Sequence, residues 1–168
     1  MNGKNEVTTG TRVLGPQDGE VLGAPDFRTD RFMIDGKDSG GGFALVEHTV
    51  APHVLAGPLH RHTREDEYSY VLEGRLGALL GEEEVFAEAG DLVFKPRGQW
   101  HTFWNAGDVP TRILEMISPS GLEELFRELG APGGELDPAT LPALAARYGC
   151  DVDFERTSTI VERRGLTF

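Results

Sequence analysis

The chain has a single cysteine, Cys150, among its 168 residues, so no internal disulfide can form and packing alone must hold the fold. That usage fits a reducing compartment, and a cytoplasmic protein is expected. No apolar run reaches membrane-spanning length, and residues 1–11 are polar, without the charged-then-apolar pattern of an export signal. Positive charge is scarce as well: 16 Lys and Arg stand against 28 Asp and Glu, for a formal net charge of −12. A surface that negative repels phosphate backbones and anionic headgroups, which argues against nucleic acid or membrane partners. An anionic small molecule stays open as a substrate, because a bound divalent cation would reverse the field locally. Histidine is also rare, five in all, and three of the five fall in one arrangement.

Turn chemistry is what the chain has in abundance, with 22 Gly and 10 Pro. At this length one domain is expected, able to bury roughly two-thirds of its unfolded surface. Residues 1–11 read as a disordered lead-in and 12–31 as turn-rich chain. Strand-like segments then recur at 31–34, 42–50, 58–62, 67–72, 75–80, 84–87, 91–95, 101–105 and 112–118. Turn signals such as Asp35-Gly36, Glu73-Gly74 and Ala89-Gly90 separate them. The gaps are too short for crossover helices, so the spacing predicts an antiparallel sandwich or small barrel. After Ser118 the texture turns helical. Leu122, Leu125, Phe126 and Leu129 share a helical stripe, with Ser120 as the expected cap. Segments 137–150 and 153–166 align with each other, each reading as an Asp-capped short helix closed by a glycine, Gly149 or Gly165.

His60 and His62 are two apart, so on a strand both side chains face one side. Glu67 lies five residues beyond His62, the wrong parity for one continuous strand, so a turn must return it on a neighbouring strand. Glu65 and Asp66 are rival carboxylates, read by default as solvated turn residues. His101 would come from a third strand after the Pro96–Gly98 turn. Three imidazoles and a carboxylate suit a mononuclear divalent ion such as iron, manganese, nickel, copper, cobalt or zinc, and four protein ligands leave a position open for chemistry.

These residues also fall into a recognisable pair of motifs. The first reads His60-x-His62, four residues, Glu67, six residues, Gly74, and the second reads Gly90-x5-Pro96-x-Gly98-x2-His101-x3-Asn105. Fifteen residues separate them. Together they resemble the paired motifs of the cupin superfamily, with Val54 standing where the first motif opens on glycine. The resemblance selects Glu67 over Glu65 and Asp66. It implies an all-β, antiparallel double-stranded β-helix (a cupin or jelly-roll barrel) over 12–118, followed by a helical C-terminal extension over 119–168. It implies His60, His62, Glu67 and His101 as ligands of one divalent transition metal, and Asn105 as a residue that ties down a loop.

If His101 points inward, so does Phe103, and by parity Ser69 and Val71 accompany Glu67, which makes these three the pocket candidates. Tyr68, Tyr70 and Trp104 then face outward, toward a second layer or a homodimer partner. His48 and His53 lie outside the motifs and read as ordinary strand or loop residues. Glu82, Glu83 and Glu84 read as a solvated hairpin tip, and Arg97 and Trp100 flank the turn before His101. The chain is most similar to small quercetin-dioxygenase-like cupins. That similarity implies a metal-dependent dioxygenase acting on an enolisable or aromatic hydroxyl compound, with Glu67 as catalytic base. A metal-dependent isomerase or lyase of a sugar or oxo acid, or a non-catalytic small-molecule binder, are the alternatives.

Overall fold

Alternating apolar and polar residues set the antiparallel strands of this chain, which outnumber its helices among the described residues. The computed structural model describes residues 10–134 and 136–168, so all but the end of the expected lead-in over 1–11 lies outside the described residues. The first strands are β1 (Glu20–Ala24), β2 (Arg28–Ile34), β3 (Ala44–Val50) and β4 (Leu59–His62). Next come β5 (Asp66–Glu73), β6 (Arg75–Leu80), β7 (Glu83–Glu88) and β8 (Leu92–Lys95). The chain finishes with β9 (His101–Asn105), β10 (Thr111–Ser118), α1 (Glu123–Gly130), α2 (Leu141–Arg147), β11 (Cys150–Asp153) and α3 (Phe154–Arg164). One sheet runs β1-β2-β3-β10-β5-β8 and the other β11-β4-β9-β6-β7.

Among the described residues every pairing between these strands is antiparallel, so the all-β class with short C-terminal helices is as expected. The barrel is not closed. Among the described residues the two sheets stay separate, with β1, β8, β11 and β7 at their edges.

The core fills the space between the sheets: Val50, Val71 and Ile113 from one meet Leu76, Ala78 and Phe103 from the other. Alternation along β10 decides which side chains enter. Thr111, Ile113, Glu115 and Ile117 are buried while Met116 faces out. On that same outer face Tyr70, Leu92 and Phe94 are exposed, and Tyr68 stacks on Phe94 at 5.0 Å. Trp104 does point away from Phe103, but it is buried beneath α3 with Leu59, Leu79 and Ile160. Gly77 lies opposite it, and a Cβ there would come within 2.3 Å of the indole.

Two strands escape the sequence reading. β1 pairs with β2 inside the stretch read as turns, and β11 pairs with β4 inside the stretch read as helical. The second addition matters most, because it sets Cys150 beside His62 and Val152 beside His60. The helix ends also differ in detail. Ser120 does not cap α1; instead buried Glu123 accepts from Gly121 N at 2.5 Å and from Gly36 N at 3.1 Å. Asp153 caps α3 through Arg156 N at 2.9 Å, whereas Asp137 accepts from Ala139 N and α2 begins four residues later, at Leu141. Gly149 and Gly165 both adopt the left-handed conformation, at φ 71° and 64°. The acidic hairpin tip is not simply solvated: Glu82 pairs with Arg156, and Glu84 with Arg163 and Arg164 of α3.

Candidate metal centre

β4 presents His60 and His62, β5 returns Glu67, and β9 presents His101 directly opposite His60 in the strand register. One potential ligand atom from each of these four side chains lies within 4.8 Å of the others. His62, Glu67 and His101 are buried, and His60 is partly open.

The hydrogen bonds fix which nitrogens face inward. Nδ1 of His60 donates to Pro58 O at 2.6 Å and Nδ1 of His101 to Gln99 O at 3.0 Å, since a carbonyl can only accept. Burial lowers the pKa of both rings, that of His60 well below its ordinary value, so each is neutral with a bare Nε2 lone pair. Backbone carbonyls that hold one ring nitrogen so that the other is free are the usual support of a metal-binding histidine.

The centre tests well as a cation site. Nε2 of His62 lies 3.2 Å from Nε2 of His101, and Glu67 Oε2 lies 3.2 Å and 3.5 Å from these two nitrogens. Acceptors so close together repel one another unless a proton or a cation stands among them. His62 Nδ1 is buried without a hydrogen-bond partner, so a proton network on protein atoms alone leaves that ring unsatisfied. Three imidazoles and one carboxylate are a borderline-divalent donor set. The chemistry of the residues therefore fits one divalent transition ion; which ion is set by supply as much as by these ligands.

Lys95 is a member of the cluster that the sequence reading missed. It lies opposite Glu67 in register, is 1% exposed, and places Nζ 2.9 Å from Glu67 Oε2 and 3.0 Å from Glu115 Oε2. Ser69 donates to that same Glu115 oxygen at 2.7 Å, and Glu115 Oε1 has no partner. Burial by itself would raise the pKa of Glu67, but Lys95, His62 and His101 together outweigh it and hold the carboxylate well below its usual range. Glu115 is pushed up by burial, and Lys95 is raised because its two carboxylates outweigh its own desolvation.

The remaining candidates fall elsewhere. Ser69 is spent on Glu115, while Val71 and Phe103 belong to the core between the sheets, and none of these three lines the pocket that opens on His60. Phe103 instead packs against Lys95, whose ammonium lies 4.9 Å from the ring centre. Glu65, read as a solvated turn residue, is buried with Oε2 unpartnered. Asp66 holds Arg97 at 2.8 Å. His48 is buried against Asp30 at 2.6 Å and His53 is paired with Asp108 at the surface. Asn105 bonds Val50 O, Val109 O and Gly107 N, and so ties the loop between β9 and β10 to the end of β3.

A pocket of about 50 Å³ opens on His60, and Phe126, Leu141, Cys150 and Val152 are among its walls. Burial pushes the Cys150 thiol up to about 12, so it is an apolar wall and not a nucleophile.

The sequence and the fold have counterparts among known proteins. Residues 46–117 match the family described as Cupin domain. The match supports the cupin superfamily. The tetracenomycin polyketide synthase protein TcmJ of Streptomyces glaucescens is 42% identical over 60 residues, covering 36% of this chain and 40% of that protein. The oxidoreductase iacF of Pestalotiopsis fici is 45% identical over 58 residues, covering 32% and 28%. The match thus spans less than half the length of either relative. Among solved structures, the polyketide cyclase RemF from Streptomyces resistomycificus superposes with a TM-score of 0.56 at 28% identity, covering 66% of this chain and 80% of that one. Among the described residues no helix is long and apolar enough to cross a membrane.

Proposed function

We propose that this cupin is a metal-dependent enzyme that enolises a carbonyl compound of largely apolar, polyketide-like character and promotes its cyclisation. The observation that carries the proposal is the convergence of His60, His62, Glu67 and His101 beside an apolar pocket, with His60 as the ligand that meets it. When bound, the ion would polarise a substrate oxygen and acidify the adjacent C–H or O–H.

The chain's own residues do the rest. Three imidazoles and one carboxylate would hold the ion, and Pro58 O and Gln99 O keep the His60 and His101 rings turned toward it. Substrate approaches from the His60 side, because the other three ligands are buried. Leu141, Phe126 and Val152 exclude water and favour an apolar body. Lys95 keeps Glu67 ionised, so this carboxylate is ready both to hold the ion and, through its second oxygen, to take the proton that enolisation releases from the substrate. The similarity to RemF and TcmJ, a named polyketide cyclase and a named polyketide synthase protein, supports the substrate class.

A second reading, the quercetinase-like dioxygenase, begins with the same deprotonation and is favoured by the similarity to iacF, a named oxidoreductase. One experiment separates them. The zinc-, nickel- or iron-loaded protein is incubated with benzoylacetone in deuterated buffer, with exchange followed by NMR and oxygen by electrode. Metal-dependent exchange without oxygen uptake supports enolisation leading to cyclisation. Oxygen uptake moves the assignment to the dioxygenase. Absence of both with fully loaded protein refutes the two together.

A further inference from the structure

A second cavity of about 530 Å³ lies outside the pocket on His60, and the two share Arg28, Leu129 and Leu136 as walls. Its size is within the range of small-molecule sites, about 300–1,000 Å³. The inner pocket, about 50 Å³, has room for little more than a carbonyl and its immediate neighbours. A substrate whose oxygen reaches His60 and that is too long for the inner pocket can extend past the walls the two cavities share, Arg28, Leu129 and Leu136.

The outer cavity is built entirely from segments that flank the matched cupin domain at 46–117. The β1–β2 hairpin supplies Ala24 and Phe27, the end of α1 and the turn after it supply Leu129 and Ala131, and the chain end supplies Phe168. These walls are mostly apolar. Arg28 stands at the junction and is fixed there, donating to Ala56 O at 2.7 Å and Asp30 Oδ2 at 2.9 Å, with its guanidinium 5.5 Å from the Phe126 ring centre. Held by these contacts, Arg28 is a fixed wall common to both cavities.

We propose that the outer cavity is a substrate subsite that takes the apolar, ring-bearing body of an elongated ketone or phenol whose oxygen end lies at His60. The inference rests on the functional reading above for the placement of the oxygen end, and it adds the length and character of the molecule.

The test is a binding ladder on zinc-loaded protein with acetophenone, 2-acetonaphthone and 2-acetylanthracene, which share one ketone and add one ring at a time. Affinity rises about tenfold per added ring in the wild type, from the apolar area each ring buries. Ala131→Trp, in the turn after α1, and Ala24→Trp, at the end of β1, each place an indole on the lining of the outer cavity and narrow it. Each variant keeps the wild-type affinity for acetophenone and loses the gain from the second and third rings. A flat ladder in the wild type overturns the proposal, and so does an unchanged ladder in both variants with melting temperatures near wild type. Failure of the functional reading shows separately, as absence of methyl-proton exchange in bound acetophenone, whatever the ladder does.

Discussion

Lys95→Met removes an ammonium that lies 2.9 Å from Glu67 and 3.0 Å from Glu115 with its side chain 1% exposed. Methionine matches the aliphatic length and keeps the packing against Phe103, so the loss is mainly one of charge. Two buried carboxylates are then left facing each other without a cation. Breaking a buried pair from one side costs about 3–5 kcal/mol, which in a protein of this size lowers the melting temperature by roughly 6–20 °C. Lys95→Met/Glu115→Gln removes the orphaned charge as well and regains much of the loss. The assay is thermal unfolding by circular dichroism in EDTA, run on wild type, both singles and the double as a cycle. The pH dependence gives a second check. Lys95 titrates above its ordinary 10.5 in the fold, so its contribution is complete below that value and disappears as pH rises through the folded value; the alkaline loss should be absent in Lys95→Met. A single variant less than about 1 kcal/mol below wild type, or a double no better than the single, refutes the reasoning.

Acid acts on the histidines with the opposite sense. His60 and His101 have folded pKa values below the ordinary 6.5, so the unfolded chain binds more protons and metal-free stability falls as pH drops from 6.5 toward the folded values, by up to about 1.4 kcal/mol per pH unit for each ring. Urea titrations between pH 7 and 5 on wild type and on His60→Ala/His101→Ala measure that slope, which should flatten in the variant. Gly77→Ala drives a methyl into the Trp104 indole and should cost about 1–3 kcal/mol with a shift in tryptophan emission. An unchanged emission spectrum and melting temperature would show that the close approach of β6 to Trp104 is not rigid.

The paired histidines and the inward parity of His60, His62 and His101 could be read directly, because strand period and motif spacing are both local. Glu115 was also within reach: Ile113-x-Glu115-x-Ile117 places a carboxylate on the buried face of β10. Lys95 was harder. Leu92-Val93-Phe94 is apolar at every position, so no alternation shows that Val93 and Lys95 go in while Leu92 and Phe94 go out. Ser69, Val71 and Phe103 were placed on the right face, but facing inward in this fold means joining the packed core, and the open pocket forms where β11 and the helices cross His60. β11 itself was hidden because Cys150–Asp153 is four residues long and sits between two helical patterns. Its pairing with β4 is a long-range choice that no local window contains.

The claim on which all this depends is that four side chains from three strands share one cation. Isothermal titration of EDTA-stripped protein with zinc or nickel, with elemental analysis of the product, tests it directly on wild type, His62→Ala and His101→Ala. The account predicts one tightly held ion per chain in the wild type, with affinity lost by at least a hundredfold in each variant. A folded wild type that takes up no transition ion, or a His101→Ala protein that binds as tightly as the wild type, would contradict it.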